Sequence, residues 1–438
     1  MSALPLGSAA DVPRSVHEIA DFWNRFTTLE SEFASLWDAS GTELPVVGER
    51  TSWMRRLSNF RHSRRFIDRL ATAVGTFPDG DRQRLEWRQR LRIDIQQFGE
   101  KRLGWPEGYR DLLVAEEFYE ATTTFVRQAR TFDPQIRGPE VAQALRNVWI
   151  VNSLQMLLDL EVELTPAVFA YSMLYPYTDN YLDDPQISST QKRSLNRGLG
   201  RCLAGKSVTP KDDHQGDVYR LVALIEEQFD RHRFPAVFQS LLAIHEGQKD
   251  SLLQQTSGPA LTAESLLEIS VRKGGASVLA DGYLAAGELS PAEEEFCFGY
   301  GVFLQFLDDL QDVTADLEAG HQTLFTLAVR EGPLDRITSR LYHFMHAVVE
   351  DSECIAGDRY AACRDLILRN CTLLLVGAIA ESPKFFSRGF RRHMARRWSL
   401  GLRSMRRLRR RGERRFRFSG HALCRSKGVT SFTELFSE

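Results

Sequence analysis

Cysteine is scarce in this sequence, and nothing pairs it. Six cysteines (Cys202, Cys297, Cys354, Cys363, Cys371 and Cys424) are scattered through 438 residues with no CxxC pair, and no histidine cluster completes a zinc set. That excludes a disulfide framework or a zinc ribbon and leaves reduced, structural thiols, as expected of a cytoplasmic protein. The N-terminus has no basic region followed by an apolar stretch, so no signal peptide is expected. The longest apolar run, around Leu373 to Ala380, is far short of the roughly 20 residues that a bilayer requires. Sustained alternation of β-branched and polar residues is also missing, so little sheet is expected. The formal net charge of −2 names no partner, because arginine crowds the segment from Lys384 to Lys427 and leaves the remainder acidic.

Helical periodicity fills the space these absences leave. Apolar residues recur at three and four positions in Leu154-Leu157-Leu158-Leu160-Val162 and in Leu221-Leu224-Ile225-Phe229. Gly and Pro fall mainly between such segments, at Gly104-Trp105-Pro106, Pro166, Pro185, Gly258-Pro259, Pro291 and Gly332-Pro333, which divides the chain into a dozen or more helices. The expectation is an all-α protein in three regions. Residues 1–135 form a helical extension rich in Arg and Trp, residues 136–382 a core of apolar helices, and residues 383–438 a basic helix and tail. No repeat of fixed period is present.

Two acidic clusters interrupt the apolar helices. The first, Tyr177-Thr178-Asp179-Asn180-Tyr181-Leu182-Asp183-Asp184-Pro185, follows the apolar run Val168 to Leu174. Asp179 and Asp183 stack four apart on one face with Asp184 beside them, and Pro185 biases Asp184 out of the α region. Acids at a helix C-terminus oppose the helix dipole and call for a compensating cation. The second cluster continues the apolar run Phe298 to Leu307. Asp308, Asp312 and Asp316 share one face at successive i,i+4 spacing, Asp309 lies about 100° round from them, and Gln305 begins the same row one turn earlier. Like charges four apart repel by roughly 0.2–0.5 kcal/mol per pair even when solvated. Each cluster alone could be a solvated helix face, but two such clusters in one all-α chain point to a divided magnesium site, since magnesium takes one or two carboxylates plus phosphate oxygens and waters. Neither has the 12-residue loop of an EF-hand.

The second cluster, with Gly320 and Thr323-Leu324 after it, resembles the second aspartate-rich motif of trans-prenyl diphosphate synthases. Upstream, Arg272-Lys273-Gly274-Gly275-Ala276 is similar to that family's lysine element, and Gly299 and Gly301 fall where the pattern has small residues. Asp179-x-x-x-Asp183-Asp184 looks more like the first motif of squalene and phytoene synthases, or of the large bacterial cyclases that make sesquarterpenes. The resemblance covers roughly residues 165–330. It implies a class I isoprenoid synthase fold, an α-helical bundle around a central apolar pocket, acting with Mg²⁺ on an isoprenoid diphosphate. Carried over, Asp179, Asp183 and Asp184 are metal ligands from one helix and Asp308, Asp309 and Asp312 from another, with Asp179, Asp183, Asp308 and Asp309 central to catalysis. Arg272 and Lys273 bind diphosphate oxygens and Gln305 is a polar neighbour. Phe169, Tyr171, Tyr175, Phe303 and Phe306 lie one or two turns before the acids, where they could face a carbocation or simply pack the core.

Departures from the pattern guide the choice of reaction. No Gly-Gly-Lys-Arg precedes the first cluster, and Lys192, Arg193 and Arg197 come too late after it to hold a second diphosphate. This favours a terpene cyclase over a head-to-head or chain-elongating prenyltransferase. A catalytically silent isoprenoid- or membrane-binding protein on the same fold is the remaining reading. His245-Glu246 reads as a structural pair ahead of Lys273. In the tail, Arg391 to Trp398 and Arg409 to Phe418 interleave arginine with apolar residues, which suits peripheral contact with an anionic membrane. Nucleic acid and a merely solvated cationic tail are the competing readings there, nucleic acid being disfavoured by the proposed substrate. A monomer or homodimer is expected.

Overall fold

The computed structural model describes residues 14–78, 80–103, 116–184, 186–255, 260–355, 357 and 360–427. The breaks expected at Gly104 to Pro106, at Pro185 and at Gly258-Pro259 lie outside the described residues. The fold is all-α, with no strand among the described residues. Sixteen α-helices are described: α1 (Arg14–Ala39), α2 (Trp53–Gly75), α3 (Asp81–Phe98), α4 (Glu116–Phe132), α5 (Gly138–Leu157), α6 (Pro166–Asp183), α7 (Ser189–Leu203), α8 (Asp213–Gln228), α9 (Pro235–Ser251), α10 (Ala263–Ala286), α11 (Pro291–Ala319), α12 (Leu324–Glu331), α13 (Asp335–Glu350), α14 (Ala361–Glu381), α15 (Arg388–Arg397) and α16 (Leu402–Lys427).

The central pair, α10 and α11, owes its limits to local chemistry. The side chain of Thr262 accepts from Ser265 N at the start of α10. Ser290, with Pro291 behind it and Glu293 reaching back, forms a capping box for α11. Gly320, at φ 72°, ends α11 in the left-handed conformation that glycine adopts without steric cost. Elsewhere the apolar periodicity overran its helix: α5 stops at Leu157, and Asp159 turns the chain at φ 61° before Leu160 and Val162.

The core forms around this pair. Phe296, Phe298, Phe303 and Phe306 of α11 are fully buried. On α1, Phe33 stacks on Phe298 at 5.6 Å and Trp37 lies 4.3 Å from Phe306. Helix α1, placed with the extension in the sequence reading, thus contributes Phe22, Phe26, Leu29, Phe33 and Trp37 to the same core as α10 and α11. The basic α16 lies along α2 and α14. Arg411 grips Asp68 of α2 with two charge-assisted bonds of 2.8 and 2.7 Å, and Arg415 approaches the same carboxylate. No helix among the described residues is long and apolar enough to cross a membrane. Cys202, Cys297, Cys354, Cys363 and Cys371 are free thiols.

Candidate active site

The site is built on an unusually close approach of α10 and α11. A Cβ on Gly301 would lie 2.1 Å from the carbonyl oxygen of Gly274, and one on Gly274 would lie 2.6 Å from Cβ of Gln305. Only hydrogen fits at both positions. This contact sets the next residue on α10, Lys273, against the acid row of α11, where its charge acts on Asp308, Asp309 and Asp316.

Dryness distinguishes Asp309 within that row. Asp309 is 6% exposed. It accepts from Gln305 Nε2 at 2.8 Å and, at a long 3.4 Å, from the Ser270 hydroxyl. Burial pushes its carboxyl up to about 7, against the opposing pull of the Gln305 bond and Lys273. Asp316 is raised to about 6 by burial and by repulsion from Asp312 and Asp308; His321 Nδ1 lies 3.9 Å from it. Asp308 is open to solvent, with neighbouring protein partly desolvating its carboxyl. Its carboxyl is also raised, by that surrounding mass and by Asp312, while Lys273 and Arg146 of α5 pull it down. Asp312 is exposed.

The acids of α6 sit differently. Asp179 is half-buried, with the Thr178 hydroxyl 3.4 Å from its Oδ1. Asp184 has an extended backbone, as expected of a residue before proline, and accepts from Gln186 N at 2.8 Å in a local turn. Asp183 closes α6, and its side chain lies outside the described residues. The end of the helix is held against α8 by His214, whose Nε2 donates to the Tyr177 carbonyl at 2.8 Å and whose ring stacks on Tyr181.

Register relates the two acid sets. Asn147 Nδ2 donates both to Ser172 of α6 (3.1 Å) and to Asp281 of α10 (3.0 Å), and further along α6 the Tyr175 hydroxyl bonds Ser277 of α10 at 2.9 Å. The contacts run in opposite order along the two helices, so α6 and α10 are antiparallel. One more helical turn in each direction brings Asp179 level with Lys273. Among the described residues, no three His, Cys, Asp or Glu side chains form a group that could hold a metal ion. The donors present nevertheless suit magnesium, being hard carboxylate oxygens one turn apart on a partly dry wall.

Beneath the α6 acids is a cavity lined by Tyr171, Leu174, Tyr175, Thr178, Leu199 and Leu241, among others, with His245 and Gln248 supplying polar groups. It offers about 30 Å³ to the centre of a water molecule, room for one or two waters. His245 is buried there, and burial holds its pKa below the usual histidine value. Arg272, by contrast, is committed elsewhere, its Nε to Glu30 at 2.6 Å and its Nη1 to Asp250 at 2.8 Å.

Sequence reasoning missed Arg146 and Asp281. Arg146 had no motif to mark it. Asp281 is fully buried on α10, its carboxyl is pushed well above the usual range by burial, and its Oδ2 has no hydrogen-bond partner. The available signal was a lone acid in the apolar helix Val278-Leu279-Ala280-Asp281-Gly282-Tyr283.

No family model and no curated protein matches the chain. Among solved structures, a geranyltransferase from Legionella pneumophila is similar at 15% sequence identity, over 66% of this chain and 98% of that one, with a TM-score of 0.30. At that score the likeness supports no statement about the chemistry of this chain.

Proposed function

We propose that this chain binds an isoprenoid diphosphate through magnesium and expels its diphosphate group, acting as a class I terpene cyclase. The observation that carries the proposal is the crowded carboxylate row Asp308, Asp309, Asp312 and Asp316 of α11, with Asp309 buried and the charge of Lys273 of α10 acting on it. Four acids on two turns of helix, two of them raised to about 6 and 7, are a local cost that a bound cation would remove. Magnesium, when bound, would neutralise the departing diphosphate and so lower the barrier to ionisation.

The remaining roles belong to the chain's own residues. Asp308 and Asp312, one turn apart and open to solvent, are the oxygens a metal would meet first, and Asp309 the dry one behind them. Gln305 fixes the orientation of Asp309. Lys273 supplies a permanent positive charge to diphosphate oxygens, and with Arg272 engaged by Glu30 and Asp250 the contact rests on Lys273. The antiparallel register supports Asp179, with Asp183 and Asp184 after it, as the opposing ligands. Tyr171 and Tyr175 line the cavity below, which has room for one or two waters and would have to widen before their aromatic faces could meet a prenyl carbocation. Peripheral membrane contact through α16 is part of this proposal, with α16 already committing Arg411 and Arg415 to Asp68.

A second reading is that of an isoprenoid-binding protein without turnover. Incubation with geranyl, farnesyl and geranylgeranyl diphosphates and magnesium decides between them. The proposal expects magnesium-dependent pyrophosphate release and a cyclic or linear terpene product. Saturable binding with no release from any of the three would establish the second reading instead. A product that joins two prenyl units would identify a prenyltransferase.

A further inference from the structure

Several arginines of this molecule are matched to acids. On α3, Arg82 and Arg90 flank Glu86; at the α2–α16 contact Arg411 and Arg415 share Asp68; Arg409 of α16 meets Glu413 and Glu381. The cleft between α15 and α16 is different. It is lined by Arg388, Arg391, Arg392, Arg403 and Arg406 over a floor of Ala380, Pro383, Ala395, Gly401 and Leu402, and encloses about 750 Å³. Arg407 and Arg410 extend it through an adjoining space that Arg403 and Arg406 also line. Among the described residues no carboxylate lines either space.

Helical spacing explains the convergence. Arg388, Arg391, Arg392 and Ala395 fall at i, i+3, i+4 and i+7 on α15, and Arg403, Arg406, Arg407 and Arg410 fall at the same intervals on α16, so each helix turns one stripe toward the cleft. Among the described residues none of these seven arginines has an ion-pair partner; Arg391 Nε reaches only its own helix, at Ser387 O. The first turn of α16 also borders the cleft and carries no acid, so its free N–H groups add to the positive potential. Seven like charges over a partly apolar floor repel one another, and an anion bearing several negative oxygens offsets that repulsion. Guanidinium forks suit phosphate oxygens best.

We infer that the α15–α16 cleft is a binding site for a polyphosphate-bearing anion, separate from the acid row on α11. The chemistry is shared by soluble polyphosphates and by phosphorylated lipid headgroups. The inference does not rest on the proposed catalytic reading, and removal of magnesium separates the two.

The test uses the full chain with a metal chelator present. Inorganic tripolyphosphate is titrated calorimetrically, and flotation is measured with phosphatidylcholine vesicles with and without phosphatidylinositol bisphosphate. The triple variant Arg391→Gln/Arg403→Gln/Arg406→Gln is compared with Arg61→Gln/Arg64→Gln/Arg65→Gln on α2, which removes the same charge from an exposed face. A loss of about 10-fold or more in the cleft variant, against less than about 2-fold in the α2 variant, supports the site. Binding of free tripolyphosphate identifies a soluble ligand, and binding only to vesicles carrying the phosphorylated lipid identifies a headgroup; both support the inference. Should the triple variant fail to fold by circular dichroism, Arg406→Lys, which keeps the charge and loses the fork, is expected to weaken binding about 3-fold. Equal losses in both triple variants, no binding to either probe, or single-stranded RNA that binds and is not displaced by tripolyphosphate would overturn the proposal.

Discussion

The two acid sets use the same residue in opposite surroundings. On α11 the acids continue an apolar helix into the protein, so Asp309 is dry and its neighbours feel one another. On α6 they sit where the helix ends, and Asp184 is spent on a turn. Burial makes a carboxylate such as Asp309 costly and therefore responsive to a cation, whereas half-buried acids at a helix end, one of them already held in a turn, pay less for staying ionised. The proposed metal site is thus asymmetric. The α11 row supplies the electrostatic demand, and the α6 set supplies the closing ligands.

The largest expected effect that could break this comparison is on turnover. Asp308→Ala should lower magnesium-dependent pyrophosphate release by about 10³-fold, whereas Asp179→Ala should lower it about 10-fold, as measured by steady-state kinetics on the preferred prenyl diphosphate. Equal losses would make the two sets equivalent.

Next is stability without metal. Both Asp309 and Asp316 have folded-state pKa values above the ordinary 3.8, so between about pH 4 and pH 7 the folded protein holds more protons than the unfolded one, and their contribution to stability falls as pH rises through that window. Asp309→Asn keeps the Gln305 bond and removes the titration. It should therefore gain on wild type as pH rises from about 4, reaching on the order of 2–4 kcal/mol near pH 8 in denaturant unfolding, while magnesium should stabilise wild type and not the variant. Gly301→Ala should cost about 1–3 kcal/mol by driving α10 and α11 apart, read as a lower melting temperature. Asp184→Asn should be the smallest, within about 0.5 kcal/mol at any pH, because its carboxylate is held only by a local turn.

How much of this was legible in the sequence depended on range. The helical class, the break at Pro291, and the crowding of Asp308 to Asp316 are local patterns that periodicity and spacing express directly. The meeting of Lys273 with that row was legible only through a resemblance, since 35 residues separate them and the cause is a glycine contact between two helices. The place of α1 in the core was hidden because its apolar face, Phe22 to Trp37, reads the same whether it packs on its neighbours or on α11 some 270 residues away. Asp281 and Arg146 were hidden for a related reason: a single charge carries no period, and its meaning depends on helices distant in the chain.

The central claim is that magnesium and diphosphate meet at the α11 row. Calorimetric titration of pyrophosphate into the full chain, with and without magnesium, tests it most directly. The account predicts that magnesium tightens binding at least about 10-fold in wild type and in the Arg391→Gln/Arg403→Gln/Arg406→Gln variant, and that the gain disappears in Asp308→Ala and Asp309→Asn. A magnesium effect that is absent in wild type, or that survives both aspartate substitutions, would contradict it.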